Sequence, residues 1–311
     1  MSYALTFPGQ GSQSVGMGQE IAAASAEARA VFDAVDDALG GRLSDVIFSG
    51  PEEALKLTAN TQPALMAVSL AVLRAAEAQG FDLTNAAYVA GHSLGEYSAL
   101  CAAGALSVED TAKLLRIRGN AMQEAVAPGE GAMAAFIGAD LAQAEAIAES
   151  ATDAGSVCEV ANDNAPGQIV LSGHKAAVER AIENAKTAGI KRAVLLPVSA
   201  PFHCSLMRPA AVAMEQALAN VEIKSPIVPI VTNVTATATQ DPELIRQSLV
   251  EQVTGRVRWR ETVSYLSAQG VGTVYEIGAG KVLTGLVRRI SKDMTGSPVS
   301  TPDEVAGLAS L

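Results

Sequence analysis

The chain has 311 residues, 49% of them hydrophobic and 18% charged, so it can bury a large core and is not disordered as a whole. At about 150 residues per domain, this length favours roughly two domains. Lysine and arginine number 22 against 33 aspartate and glutamate, a formal net charge of −11. We expect neither nucleic acid nor a membrane surface as a partner, since both attract positive potential.

Cysteine content and the N-terminal sequence bear on the cellular compartment. Three cysteines, without C-x-x-C spacing, argue against a disulfide framework and against a zinc site. The first residues lack the basic and apolar regions of a signal peptide. The longest apolar candidate, residues 86–108, contains His92 and Glu96 and falls short of the ~18 uninterrupted apolar residues of a spanning helix. The sequence predicts a soluble, cytoplasmic protein.

The first third of the chain alternates strand and helix patterns. Strands are predicted over residues 3–7 and 87–90, and helical periodicity covers residues 18–39, 62–78 and 96–103. Repeated alternation of this kind is typical of a mostly parallel sheet covered by helices. The predicted fold class is therefore α/β.

The middle of the chain has a different order of elements. Strand patterns and helical patterns follow one another as β-α-β-β-α-β, with strands over residues 132–137, 157–161, 168–171 and 193–197 and helices over residues 141–152 and 174–188. This order is typical of a ferredoxin-like domain. We expect residues 130–199 to form such a small domain, inserted into a larger domain made of residues 1–129 and 200–311.

The C-terminal part returns to the pattern of the large domain. It offers strands over residues 228–232 and 274–277 and helices over residues 243–252 and 259–268. After Ser291 the sequence becomes polar and contains prolines, which predicts a frayed tail.

Residues Gly91-His92-Ser93-Leu94-Gly95 fit the G-x-S-x-G nucleophile elbow. A serine on a tight strand-to-helix turn needs neighbours without side chains, so that the backbone can fold sharply and leave its Oγ exposed. The helix N-terminus adds partial positive charge, and the Leu94 N–H would point to a developing oxyanion. The predicted strand before the motif and the helix after it support this interpretation over a chance match.

A nucleophilic serine needs a base, and the chain has three histidines. His92 adjoins the serine, and the elbow directs neighbouring side chains apart. His174 lies at a predicted helix start, where capping or solvation explains it. Elimination leaves His203, in a loop-like stretch. Its orienting group stays open between a carboxylate, with Asp163 and Asp241 conceivable, and a main-chain carbonyl accepting the Nδ1 proton.

Two arginines stand in an apolar helical stretch downstream of the elbow. Arg116 and Arg118 are two residues apart and so face different ways on a helix. One can be solvated while the other enters a cleft, although in isolation two surface arginines are the more common explanation of such a pattern. A planar, bidentate cation beside the serine would select a substrate with a free carboxylate.

Three other patterns are rejected. Residues 278–281 resemble part of a P-loop, but Tyr275 stands where the first glycine belongs. Residues 9–14 lack the third glycine of a dinucleotide fingerprint. Cys204, beside the candidate base, is a poor thiol nucleophile, because adjacent side chains rarely meet productively.

Several ordered motifs, spread over nearly the whole chain, carry a family resemblance. They are residues 7–13 (FPGQGSQ), 61–64 (TQPA), 91–96 (GHSLGE), 116–119 (RIRG), 162–173, 201–204 (PFHC) and 276–283 (EIGAGKVL). Together they resemble the malonyl-CoA:acyl carrier protein transacylases of fatty acid synthesis and the acyltransferase domains of polyketide synthases. The family fold, a large α/β-hydrolase-like domain with a small ferredoxin-like one, agrees with the domains predicted above.

The resemblance implies roles for particular residues. These are Ser93 as nucleophile, His203 as base, the Gln10 and Leu94 N–H groups as oxyanion hole, Arg118 for the malonyl carboxylate, the Gln252 carbonyl as the group that orients the histidine, and Gln62 and Asn162 as polar lining. Phe202 replaces the serine commoner in bacterial members, and in related synthase domains phenylalanine there accompanies malonyl rather than methylmalonyl use.

The implied reaction is ping-pong transfer from malonyl-CoA to the 4′-phosphopantetheine thiol of acyl carrier protein, with no permanently bound cofactor or metal and a monomeric enzyme. A serine thioesterase, a non-catalytic acyl-CoA or carrier-protein binding module and a polyketide setting remain alternatives. Because acyl carrier proteins are acidic, docking would need a local basic patch. The candidate patches are Lys191-Arg192, Arg256-Arg258-Arg260 and Arg288-Arg289.

Overall fold

The computed structural model describes residues 2–198 and 200–311. Its strands are β1 (Ser2–Phe7), β2 (Tyr88–Gly91), β3 (Gly131–Ile137), β4 (Cys158–Ala165), β5 (Gln168–His174), β6 (Arg192–Leu195), β7 (Ile230–Val231), β8 (Ala238–Thr239), β9 (Val271–Ile277) and β10 (Thr295–Val299). Its α-helices are α1 (Gln19–Ala24), α2 (Ala26–Leu39), α3 (Leu43–Ser49), α4 (Glu52–Lys56), α5 (Thr58–Ala78), α6 (Gly95–Ala102), α7 (Val108–Glu124), α8 (Leu141–Ala151), α9 (Lys175–Thr187), α10 (Arg208–Ala219), α11 (Pro242–Thr254), α12 (Trp259–Ala268), α13 (Val282–Ile290) and α14 (Pro302–Ala309).

The larger sheet has the strand order β10-β9-β1-β2-β7-β8. All neighbouring strands run parallel except β7 and β8, which are antiparallel. The carboxyl ends of β1 and β2 therefore lie side by side, with Phe7 opposite Gly91. The prediction of an α/β fold with a mostly parallel sheet is confirmed.

Helix α5 is the centre of the helical layer over this sheet. Every residue from Ala64 to Leu73 is buried, and α5 packs against both α2 and α7. Alanine at many of these positions lets the helices approach closely, so the core is built from small aliphatic side chains more than from aromatic ones. This packing fixes α7, and with it Arg118, relative to the end of β2.

The smaller sheet has the order β4-β5-β3-β6 and is antiparallel throughout. Its elements follow the predicted β-α-β-β-α-β order, and α8 and α9 pack together on it around a separate core that includes Phe136 and Leu171. The strand β4 also touches the rest of the molecule, because Asp163 N–H donates to the Val257 carbonyl and Val257 N–H donates to the Ala161 carbonyl. These bonds fix the smaller sheet beside α12.

The expectation of a frayed tail after Ser291 is wrong. Strand β10 pairs with β9, and α14 begins with a capping box between Thr301 and Glu304. Val305 and Leu308 are buried against the main core. The polar, proline-containing sequence reflects an edge strand and a capped helix start, where such residues belong.

Candidate active site

Ser93 lies on the sharp turn between β2 and α6. Its φ of 54° is in the left-handed region, which is uncommon for any residue other than glycine. A Cβ on Gly91 would lie 1.9 Å from the Gly95 carbonyl, and a Cβ on Gly95 would lie 2.2 Å from the Phe7 carbonyl oxygen. Both glycines are therefore required by close backbone approach, which is the physical basis of the motif.

His203 meets the serine from a separate loop. Its Nε2 lies 2.7 Å from Ser93 Oγ, and its Nδ1 lies 2.8 Å from the main-chain carbonyl oxygen of Gln252. Because a carbonyl can only accept, Nδ1 carries the proton and Nε2 is free to accept the serine hydroxyl proton. Burial, together with the nearby Arg118 cation, lowers the pKa of His203 to about 3. The imidazole is therefore neutral at neutral pH, with Nε2 unprotonated.

The two aspartates considered as orienting groups lie elsewhere. Asp163 forms an ion pair with Arg260, Oδ2 to Nη2 2.7 Å, and Asp241 caps α11 by accepting the Glu243 N–H. The group opposite His203 Nδ1 is the Gln252 carbonyl, so the geometry is that of a dyad with a main-chain orienter rather than a triad with a carboxylate.

The other two histidines make different contacts. His92 Nε2 lies 2.8 Å from Asn164 Oδ1, and its ring packs 5.6 Å from the Trp259 ring. His174 stands at the start of α9, but the capping expected of it is wrong, because its side chain makes no hydrogen bond to the helix and its Nδ1 instead accepts the Val157 N–H at 3.0 Å.

Arg118 enters the site from α7 and is only 1% exposed. Its Nη1 donates to Gln62 Oε1 at 2.8 Å, and its Nη2 donates to Gln252 Oε1 at 2.8 Å and to Ser93 Oγ at 3.2 Å. Burial lowers its pKa from the usual value, and no carboxylate among the described residues pairs with it. Arg116, on another face of the helix, bonds instead to Asn60.

The sequence did not identify Glu96 and Asn233 as functional candidates, although both lie next to the predicted site residues. Glu96 is fully buried, and its Oε2 accepts the Asn233 N–H at 3.0 Å and the Gln252 Nε2 at 2.9 Å. Asn233 Oδ1 in turn accepts the Ser93 N–H at 2.7 Å. A single charged residue in the apolar helix α6 was a usable signal for Glu96, whereas Asn233 had no local signal.

A cavity of about 830 Å³ opens in front of the serine. Gln10, Leu94, Asn162 and Phe202 all line it, together with Ser93, so every predicted site residue lies at the cavity or hydrogen-bonds to a residue that does. No acceptor among the described residues takes the main-chain N–H of Gln10 or of Leu94. Both donors are therefore available to a ligand oxygen.

Three of the arginines predicted to form a basic patch are neutralised. Arg256 pairs with Glu145, Arg258 with Glu261 and Arg260 with Asp163. The other two clusters, Lys191-Arg192 and Arg288-Arg289, are exposed, and Arg289 bonds to the neutral side chain of Gln168.

In the described part of the chain, no helix combines the length and apolar character needed to cross a membrane. No group of three or more His, Cys, Asp or Glu side chains there is arranged to hold a metal ion.

The fold and the cavity define this protein as an acyltransferase: the family model described as "Acyl transferase domain" matches residues 5–307. The chain is 45% identical over 302 residues to the malonyl CoA-acyl carrier protein transacylase of Bacillus subtilis (strain 168), covering 97% of this chain and 94% of that one. It superposes with a TM-score of 0.97 on the crystal structure of the acyl-carrier-protein-S-malonyltransferase from Bartonella henselae, at 57% identity and with 100% of both chains covered. This chain belongs to the malonyl-CoA:acyl carrier protein transacylase family.

A further structural relative is described as a type II PKS acyl-carrier protein in complex with its malonyl-transacylase. The match has a TM-score of 0.96 and 41% identity, and it covers 100% of this chain and 99% of that one.

Proposed function

We propose that this chain transfers a malonyl group from malonyl-CoA to the phosphopantetheine thiol of acyl carrier protein, through a malonyl ester of Ser93. One observation carries the proposal. Ser93 Oγ lies between His203 Nε2 (2.7 Å) and Arg118 Nη2 (3.2 Å) at the wall of a cavity. The serine thus has a base on one side and a buried receptor for a carboxylate on the other.

In the first half-reaction, Ser93 Oγ attacks the thioester carbonyl while His203 Nε2 takes the hydroxyl proton. The Gln252 carbonyl stabilises the resulting imidazolium through its bond to Nδ1–H. Collapse of the tetrahedral intermediate breaks the C–S bond, and the imidazolium returns its proton to the departing CoA sulfur. The product is a malonyl-serine ester, with His203 neutral again.

The tetrahedral intermediate carries a negative oxygen that needs hydrogen-bond donors. We assign this role to the unoccupied N–H groups of Gln10 and Leu94, with the N-terminus of α6 adding partial positive charge. Losing one donor of this kind costs about 10²–10³ in rate.

In the second half-reaction, the carrier-protein thiol replaces CoA and the same steps run in reverse. His203 takes the thiol proton, the sulfur attacks the ester carbonyl, and Ser93 leaves with the proton returned. The related complex of a malonyl-transacylase with its acyl-carrier protein supports this partner. The chemistry balances without a metal or redox cofactor, so we propose no permanently bound group.

The cavity lining supports a preference for malonyl over methylmalonyl groups. Phe202 is 8% exposed and lines the cavity beside the histidine, where its ring would crowd an α-methyl group. Gln62 Oε1 accepts a hydrogen bond from Arg118, and Asn162, in β4, also lines the cavity. We expect Phe202→Ser to raise the ratio of kcat/KM for methylmalonyl-CoA to that for malonyl-CoA. An unchanged ratio would remove Phe202 from the choice of acyl group.

We further propose that residues 1–129 and 200–311 form an α/β-hydrolase-like domain and residues 130–199 a ferredoxin-like domain. The strand order of the smaller sheet and its β-α-β-β-α-β connectivity support the second assignment. We propose a monomeric, cytoplasmic enzyme.

Carrier-protein docking would use the exposed clusters Lys191-Arg192 and Arg288-Arg289, which bring positive charge to an acidic protein. Reversing these four charges should raise the KM for acyl carrier protein and leave the loading step from malonyl-CoA unchanged. Reversal at the ion-paired Arg256 and Arg258, compared with reversal at Lys191 and Arg192 alone, is the control with an equal number of reversed charges. An unchanged KM in the first variant would exclude this surface.

The proposal is tested by intact-protein mass spectrometry after brief incubation with malonyl-CoA. We expect one malonyl adduct, absent in Ser93→Ala and discharged by holo acyl carrier protein. An adduct discharged as fast by water would indicate a thioesterase instead. No adduct with any acyl-CoA would refute covalent transfer and favour a binding module.

A further inference from the structure

Glu96 lies behind the nucleophile turn and touches neither the cavity nor a reacting atom. It is 0% exposed and stands directly after the second glycine of the motif, on the first turn of α6. Its Oε2 takes two hydrogen bonds, from Asn233 N–H and Gln252 Nε2, and its Oε1 has no partner among the described residues. Burying a carboxyl group with one oxygen unpaired costs folding free energy.

Both partners of Glu96 hold the strained peptide of Ser93. Asn233 Oδ1 accepts the Ser93 N–H at 2.7 Å, and its Nδ2 donates to the Gly91 carbonyl at 2.6 Å. Gln252 Nε2 donates to the Ser93 carbonyl at 2.9 Å. The main chain of Ser93, in its left-handed conformation, is therefore held at its N–H by Asn233 and at its C=O by Gln252. We call these two residues the Ser93 clamp. Glu96 joins them, because its Oε2 accepts a hydrogen bond from each.

Glu96 also sets the direction of the Gln252 side-chain amide. With Nε2 on the carboxylate, Oε1 faces Arg118 Nη2 at 2.8 Å. The reversed amide would place its NH₂ against the guanidinium and its oxygen against the carboxylate, two unfavourable pairs. Since the main-chain carbonyl of Gln252 holds His203, one residue aligns both the base and the arginine.

We propose that Glu96 is a positioning residue that fastens the Ser93 clamp and aligns Gln252 against Arg118, and that its ionisation state sets the preference for malonyl over uncharged acyl groups. The proposal rests on the function proposed above, in which the malonyl carboxylate meets Arg118. An ionised Glu96 would compensate the Arg118 cation and repel that carboxylate, whereas a neutral Glu96 would leave the cation free to attract it.

The groups that surround Glu96 make its titration observable. Burial raises the pKa of Glu96 to about 7, against the opposing effects of Gln252, Asn233 and the Arg118 cation. The other ionisable groups beside Glu96 and Arg118 are His203, His92 and Tyr97. Burial lowers the pKa values of both histidines and raises that of the tyrosine, which favours the neutral form of all three at pH 7. A change with pH that disappears in Glu96→Gln is therefore assigned to Glu96.

The test compares the rates of acyl-Ser93 formation from malonyl-CoA and acetyl-CoA, followed by rapid quench and mass spectrometry between pH 6 and 8. We expect the malonyl-to-acetyl ratio of kcat/KM to fall by about tenfold as the pH rises, from the added repulsion between two buried anions. Glu96→Gln keeps an acceptor oxygen for both partners but has no charge, so its ratio should stay at the low-pH value throughout. Glu304→Gln is the matched control, since Glu304 accepts main-chain N–H groups of Ser300 and Thr301 away from the site.

Glu96→Ala removes the acceptor as well as the charge and should slow loading of both donors by about tenfold or more, with recovery in Glu96→Gln. A ratio that does not change with pH in the unmodified chain, or one that changes equally in Glu96→Gln, would overturn the proposal. Failure of the proposed function has a different signature: no adduct on Ser93 at any pH, in any variant, which would overturn both.

Discussion

The Arg118→Ala variant tests the proposal that Arg118 binds the carboxylate of the acyl group. Arg118 is 1% exposed and its Nη2 lies 3.2 Å from Ser93 Oγ, so an acyl group on the serine would place its terminal carboxylate in a buried site. Removing one partner of a buried, hydrogen-bonded ion pair costs about 3–5 kcal/mol. At about 1.4 kcal/mol per tenfold, kcat/KM for malonyl-CoA should fall by between about 10² and 10⁴.

Acetyl-CoA provides the internal reference, because an acetyl group has no carboxylate to lose its partner. The variant removes the Arg118 bond to Ser93 Oγ and leaves Gln62 Oε1 and Gln252 Oε1 without that donor. Lost neutral or singly charged hydrogen bonds of this kind cost about 1–2 kcal/mol, so acetyl loading should fall by only about 5- to 30-fold.

The assay measures the initial rate of acyl-enzyme formation from each donor, together with the Tm of each variant. Arg116→Ala is the control on the same helix, since Arg116 bonds to Asn60 and faces away from the serine. It should leave the ratio of malonyl to acetyl loading unchanged. Equal losses for both donors in Arg118→Ala would refute carboxylate recognition and assign this arginine to the fold alone.

Three further predictions concern the backbone, the pH dependence and the C-terminus. Gly95→Ala should destabilise the chain by several kcal/mol and abolish loading, because the new Cβ would lie 2.2 Å from the Phe7 carbonyl oxygen. Gly285→Ala is the control: its Cβ would have nothing within 4 Å, so in thermal unfolding this change should be neutral or stabilising by about 0.5–1 kcal/mol. The pKa of His203 is about 3 in the folded chain, against an ordinary value of 6.5 in the unfolded chain. Between these pH values the unfolded chain binds a proton that the folded chain does not, so the free energy of unfolding falls as the pH drops from about 6.5 towards 3. A Tm profile in which His203→Gln loses no less stability than the unmodified chain over this range would contradict this assignment. Deleting residues 292–311 should lower the Tm by many degrees, since it strips β9 of its partner β10 and removes the buried Val305 and Leu308; an unchanged Tm would mean that the tail is dispensable.

The turn that carries Ser93 could be predicted from the sequence, because the residues that determine its backbone conformation are adjacent in the chain. A serine flanked by glycines two positions away on each side, after a strand and before a helix, admits few backbone conformations, because main-chain atoms lie where a Cβ on Gly91 or Gly95 would stand. His203 was predicted as the candidate base by elimination among the three histidines, and it lies within hydrogen-bond distance of the serine. The alternating elements likewise predicted the α/β fold, because periodicity reports which face is buried.

The long-range part of the site was decided only by tertiary structure. Asn233 and Gln252 lie 140 and 159 positions from Ser93, and nothing in their own sequence neighbourhoods marks them as partners of the serine. Reasoning from the residues therefore left the orienter of His203 open between a carboxylate and a carbonyl, and only the family resemblance pointed to Gln252.

The C-terminus shows the same division between local pattern and tertiary context. Polarity and proline predicted a frayed end, but β9 offers an edge that β10 completes, and the main core buries one face of α14. A short strand and a short helix are not stable by themselves, so their formation depends on partners folded from distant parts of the chain. The sequence thus predicted the turn that carries Ser93, the histidine that lies beside it and the class of fold. Packing between distant segments determined the hydrogen bonds around the Ser93 main chain, the burial of Arg118 and the folding of the last twenty residues.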